Sequence, residues 1–124
     1  MENLRAERRA RRSDEHGLAL RFQLESTLQR GRLAAVALSD HEGLLVAWAG
    51  EDGLCQELGA VAPLVARGAP PRLPGQGLQG DDVAVRTLDC FGKAMFLSSL
   101  GGGVARDALL AHSARGIQRI LTAN

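Results

Sequence analysis

Tyrosine is absent from this chain, and aromatic residues make up only 3% of its 124 positions. A core must then be assembled from leucine, valine and alanine, side chains that fill space without a polar tip. There are two cysteines, Cys55 and Cys90, and no Cys-x-x-Cys pair. That excludes a disulfide framework and a zinc site of the usual spacing. Both cysteines sit among apolar neighbours and are expected to be buried free thiols. No apolar run reaches the roughly 18 residues that a membrane-spanning helix needs. No apolar segment of signal-peptide kind precedes residue 17, so a cytoplasmic protein is expected. A net charge of +1 is too small for a domain built to neutralise phosphates along a nucleic acid.

What is present is an apolar content of 45%, enough for a folded domain and too high for a disordered chain. A chain of this length indicates one domain, which buries roughly two thirds of its unfolded surface. The charge is unevenly spread. Residues 1–12 hold five arginines (Arg5, Arg8, Arg9, Arg11, Arg12) against two glutamates. Residues 1–16 have good helix formers but no apolar stripe, so they cannot pack as a core helix. An Arg-rich tail over 1–16, disordered or a frayed helical extension, is expected ahead of a domain over 17–124. The tail has no interleaved aromatics for base stacking. Its solvated form is the simplest expectation, and contact with nucleic acid or an anionic membrane through those arginines is the alternative.

Residues 17–31 fit two patterns. Leu18, Leu20, Phe22 and Leu24 alternate like a strand, whereas Leu20, Leu24, Thr27 and Leu28 share a helical face. The polar residues between them, with Gly31 as a stop, favour helix. Two short apolar runs follow, Leu33 to Leu38 and Leu44 to Ala49, separated by Ser39-Asp40-His41-Glu42-Gly43. This reads as a hairpin turn, with Asp40 bonding turn amides and Gly43 supplying a positive φ. Both strands look apolar on both faces and are expected in the sheet interior. Residues 51–67 read as a helix, because Leu54, Leu58, Val61 and Val65 step along one face. Pro63 predicts a kink or a break in it. Residues 68–80 contain three prolines and four glycines and read as a loop. Strands are expected at Val83 to Leu88 and Lys93 to Leu100, joined by a turn at Asp89 to Gly92. A last helix is expected from Val104 to Thr122. Helix, two strands, helix, loop, two strands, helix is the order of an α+β layered domain with an antiparallel sheet.

Candidate chemistry is thin. Asp40, His41 and Glu42 are consecutive, and neighbouring side chains diverge too far to share a metal ion. Asp107, His112 and Ser113 do not share a helical face and lack a nucleophile elbow. Gly101-Gly102-Gly103 fits neither dinucleotide nor P-loop spacing. No catalytic, cofactor or metal residues are therefore expected.

The order of elements, with "AAVALSDHEGLLVAWAG", "LCQELGAVAPLVAR" and "GKAMFLSSLGGGVARDALLAHSARGIQRIL", resembles the Roadblock/dynein light chain family. The likeness covers about residues 17–123. Asp40 and Gly43 match the family's Asp-x-x-Gly turn, and Gly92 matches its later hairpin turn. The resemblance implies a Roadblock/profilin-like fold, α-β-β-α-(β)-β-β-α. Its sheet has up to five antiparallel strands, with two helices on one face and one on the other. It also implies a homodimer or heterodimer with a related Roadblock protein, made through the middle helix and a neighbouring strand. In bacteria such proteins regulate Ras-like small GTPases of the gliding-motility type, as activators or scaffolds, and are not enzymes. Carried onto this chain, the partner-facing positions are Leu54, Cys55, Leu58, Val61, Ala62 and Val65 of the middle helix. Arg67 and Arg72 are the candidates to face a GTPase. The departure is the Pro/Gly loop 68–80, which stands where the family has its third strand.

Overall fold

The computed structural model describes residues 2–71, 73, 83–103 and 105–123, with side chains from residue 15 onward. Among these, residues 17–31 settle the ambiguity in favour of helix: Leu20, Leu24 and Thr27 are buried, whereas Leu18 and Phe22 of the strand pattern are exposed. This helix, α1 (Glu2–Gly31), starts well before residue 17. At 1.5 Å per residue its 30 residues run about 45 Å. The expected boundary between tail and domain at residue 17 is thus not marked by a break in the helix. Gly31 is also not the left-handed stop that was expected. That conformation falls on Arg32, with φ 51°. A Cβ at Gly31 would come within 2.9 Å of the Leu109 side chain, so the glycine serves close helix approach.

The chain continues through β1 (Leu33–Ser39), β2 (Leu45–Gly50), α2 (Asp52–Ala66), β3 (Val83–Cys90), β4 (Lys93–Gly101) and α3 (Arg106–Thr122). The strands form one antiparallel sheet in the order β2-β1-β4-β3. Four strands are present among the described residues. The place of a fifth, in loop 68–80, lies largely outside them. Strand β1 is interior, as its five consecutive buried residues from Ala35 require. Strand β2 is not: it is an outer strand, and its half-exposed pattern corrects the expectation of two interior strands. Its apolar residues mislead because α1 on one side and α2 on the other cover them only in part, leaving Val46 and Trp48 exposed.

The two sides of β1 lead to two cores. Val36 and Leu38 face a cluster with Leu20 and Leu24 of α1 and Leu110, Ala114 and Ile117 of α3. Ala35 and Ala37 face a second cluster with Cys55 and Leu58 of α2, together with Leu73, Val83 and Leu100. Two helices therefore cover one face and one helix covers the other. On the two-helix face α1 and α3 are also joined by a buried polar contact. Thr27 Oγ1 donates to the Gln23 carbonyl at 2.8 Å. It thereby accepts from Ser113 Oγ, 2.6 Å away.

Helix α2 begins at a well-made cap. The Glu51 carboxylate accepts from the amides of Gly53 and Leu54 at 2.9 and 3.1 Å. Pro63 neither breaks nor splits the helix, which runs unbroken to Ala66. The proline forgoes only its own bond to the Gly59 carbonyl, and the rest of the helix continues past it. The helix ends at Arg67, and Gly68 takes φ 108° just beyond it.

Candidate interaction surface

The β1–β2 turn lies close against α2. The Asp40 carboxylate accepts from the amides of Glu42 and Leu44 at 2.9 and 3.0 Å. These bonds, that from Leu44 foremost, hold the Asp40 carboxyl below its ordinary pKa. Gly43 turns the chain at φ 88° and lies so near α2 that a Cβ would stand 3.2 Å from the Gly59 carbonyl. From the helix side, a Cβ at Gly59 would stand 2.8 Å from Leu45 Cδ2. Two glycines thus let the turn and the helix touch backbone to backbone. Asp40 is occupied by the turn, and His41 Nε2 only meets the exposed Glu42 carboxylate at 3.6 Å. The later turn is a two-residue link, Phe91-Gly92, with φ 55° and 82° between the paired Cys90 and Lys93.

The middle helix divides its residues unequally between its own sheet and solvent. Cys55, Leu58 and Ala62 are fully buried within this chain, and Leu54 and Val61 are half-buried against the same core. Those of the expected partner-facing positions are thus used mainly by the protein's own sheet. Val65 is half-buried. The Cys55 thiol points at the β1–β2 backbone, 3.3 Å from the Ala49 carbonyl. Burial there raises its pKa, and burial raises that of Cys90 as well. The outward stripe consists of Gln56, Glu57, Ala60, Leu64 and Arg67. Its second half is apolar, with Leu64 53% exposed and Val61 and Val65 beside it. Neither Ala60 nor Leu64 stood out in the sequence, since the stepping of 54, 58, 61 and 65 marks only the face that leaves water. Arg67 is exposed next to Leu64. Arg72 lies outside the described residues.

The residues weighed for hydrolysis are dispersed. Asp107 pairs with Arg106 at 3.4 Å, Ser113 is buried against Thr27, and His112 is exposed on another side of α3. Among the described residues no group of three metal-ligating side chains comes together. No helix among them is long and apolar enough to cross a membrane.

Among the described residues, a four-stranded antiparallel sheet with two helices on one face and one on the other is a Roadblock-like architecture. The solved structures of the gliding protein MglB share it. The chain superposes on MglB from Thermus Thermophilus with a TM-score of 0.62 over 88% of its length and 93% of that chain, at 15% identity. An MglB described as having a tetrameric arrangement gives a TM-score of 0.61 at 15% identity, covering 86% of this chain and 90% of that one. Myxococcus xanthus MglB gives 0.58 at 10% identity, covering 83% and 87%. No family model matches the sequence, and no curated protein matches it significantly. The likeness is one of fold.

Proposed function

We propose that this protein is a non-catalytic regulator or scaffold of a Ras-like small GTPase, acting in the cytoplasm of a bacterium as a dimer or higher assembly. The observation that carries this reading is the MglB fold over more than four fifths of the chain. The lone helix α2 of that fold here keeps Ala60, Leu64 and Arg67 open to solvent. A regulator of this kind needs no reacting groups of its own. It positions the GTPase's machinery or places a cation beside the transferring phosphate. Arg67, at the end of the apolar stripe, is the described residue suited to the second role, with Arg72 a few residues on. The tetrameric arrangement recorded for one MglB supports self-association.

The test is GTP turnover by the Ras-like GTPases of the source genome, each with and without this protein, with binding measured in parallel. Binding to at least one, lost in Leu64→Glu, is expected. Altered turnover would mark an activator, and unaltered turnover a scaffold. No binding and no change for any of them would end the proposal.

A further inference from the structure

Among the described residues, the two outer strands of the sheet are built differently. Strand β3 presents Arg86, Thr87 and Asp89 to solvent, and charges of this kind keep sheet edges from pairing with other chains. Strand β2, Leu45–Gly50, has neither a charge nor a proline. Its outer side opens on a cleft of about 740 Å³. Leu18 and Arg21 of α1 form one wall, Val46 and Ala47 line the strand, and Trp48 with Asp52 forms the other wall. Trp48 stands opposite Ala37 of the α2-side core, whereas Ala47 stands opposite Leu38 and faces α1. The cleft therefore straddles the sheet edge. The pairing register slips between Leu38 and Ser39, which leaves Val46 unpaired between Leu45 and Ala47. A bulge of this sort re-aims a side chain, and Val46 lines the cleft.

We propose that this cleft takes an extended segment of a partner protein, added as a strand beside β2, with an apolar side chain on Trp48 and an acidic one on Arg21. Strand addition draws its affinity from the main chain and its specificity from alternate side chains. Both ingredients are here. The indole is fixed by its Nε1–H donating to Asp52 Oδ1 at 2.9 Å, which leaves the ring face as an apolar platform. Arg21 is exposed on the rim and has no acidic partner among the described residues. The Trp48 and Arg21 subsites lie on opposite faces of the edge, so an added strand reaches them with neighbouring residues. The preferred pattern is apolar–acidic–apolar. A second copy fits less well, because edge-to-edge pairing brings two α1 walls to the same place.

Trp48 is the chain's only tryptophan, so its fluorescence reports on the cleft directly. The probe is an acetylated, amidated peptide, Thr-Val-Asp-Val-Thr, compared with the same peptide carrying Lys for Asp. A saturable change in emission is expected for the first, and at least tenfold weaker binding for the second. In Arg21→Glu the order of preference should reverse. N-methylation of every second peptide nitrogen, in one phase and not the other, should weaken binding. Failure of both peptides to give a saturable change overturns the proposal. So does an unreversed preference in Arg21→Glu, or indifference to N-methylation. Pairing of two copies through this edge, seen as a mass that Val46→Lys halves, overturns it as well. Arg21 lies away from the outer stripe of α2, so Arg21→Glu should leave GTPase binding intact, and the two readings can fail separately.

Discussion

Leu58 and Leu64 stand on the same helix and do different work, and replacing each should separate stability from assembly. Leu58 is completely buried in the α2-side core. Leu58→Ala removes buried volume in a tightly packed place, which costs about 2–5 kcal/mol. A chain of this size shifts its melting temperature by roughly 3–6 °C per kcal/mol, so the loss is roughly 6–30 °C. Leu64 is 53% exposed. Complete burial of a leucine is worth about 1.5–3 kcal/mol, so Leu64→Glu should cost the isolated chain only about 1 kcal/mol. Its larger effect is a carboxylate placed in the centre of an apolar seat. Light scattering over a wide concentration range, with melting curves at its two ends, reads both effects. Leu58→Ala should melt early and keep the wild-type mass when folded. Leu64→Glu should lose mass and melt near the wild type at low concentration. A Leu64→Glu protein that keeps full mass would refute the assignment of this stripe to a partner. A wild-type protein that stays monomeric at high concentration would remove its premise.

Phe91 holds φ 55° while 78% exposed. Phe91→Asn supplies the residue that a two-residue turn of this type favours, and should raise stability by about 1 kcal/mol in urea unfolding. Gly50→Ala and Gly116→Ala should differ in sign. At Gly50, φ is 110° and a Cβ would meet the Ala34 carbonyl at 2.8 Å, so a loss of at least about 1–3 kcal/mol is expected. At Gly116 the obstacle is the end of the Gln23 side chain at 2.7 Å. Gln23 can swing away while the helix gains up to about 1 kcal/mol. Thr27→Val strands the Ser113 hydroxyl in the core and should cost about 1–3 kcal/mol. Thr27→Val with Ser113→Ala should cost less than the sum, a coupling visible in a double-mutant cycle. Burial keeps Cys55 and Cys90 protonated past their ordinary pKa. Above that ordinary value the unfolded thiols ionise first, so stability should fall as pH rises through the alkaline range. Thiol reagents should label both residues only as fast as the protein opens.

Much of this fold was legible because apolar spacing reports which side of an element leaves water. The 20, 24, 27 stripe located α1, and Asp40 with Gly43 located the first hairpin. The same signal has a blind side. A stripe at 54, 58, 61 and 65 states that a face is covered and not by which chain. Of the positions expected to face a partner, Cys55, Leu58 and Ala62 lie in the protein's own core, and Leu54, Val61 and Val65 are half-buried. Strand β2 was hidden for a related reason. Leu44 to Ala49 is apolar throughout, like an interior strand, yet it borders an open cleft. Nothing local distinguishes an apolar residue covered by its own sheet from one awaiting another chain. The unbroken α2 was missed because a proline forgoes a single hydrogen bond, which a helix packed on a sheet can bear without breaking.

The two faces of the sheet differ in how completely they can be covered, and this is the physical reason to expect a partner. Among the described residues, three spacings of about 4.8 Å separate the outer strands, so this part of the sheet is roughly 14 Å wide between strand axes before side chains are added. A single helix is about 10 Å across. On the α1–α3 face two helices lie side by side, joined by Thr27 and Ser113. On the other face α2 is alone. It settles close to the sheet because Ala35, Ala37, Gly43, Gly59 and Ala62 are small, and a close helix buries a narrow stripe. Leu73 fills part of the remaining ground. What is left is the outer rim of α2 around Leu64. Among the described residues no large side chain roofs that rim, and this is the ground on which the proposed partner rests.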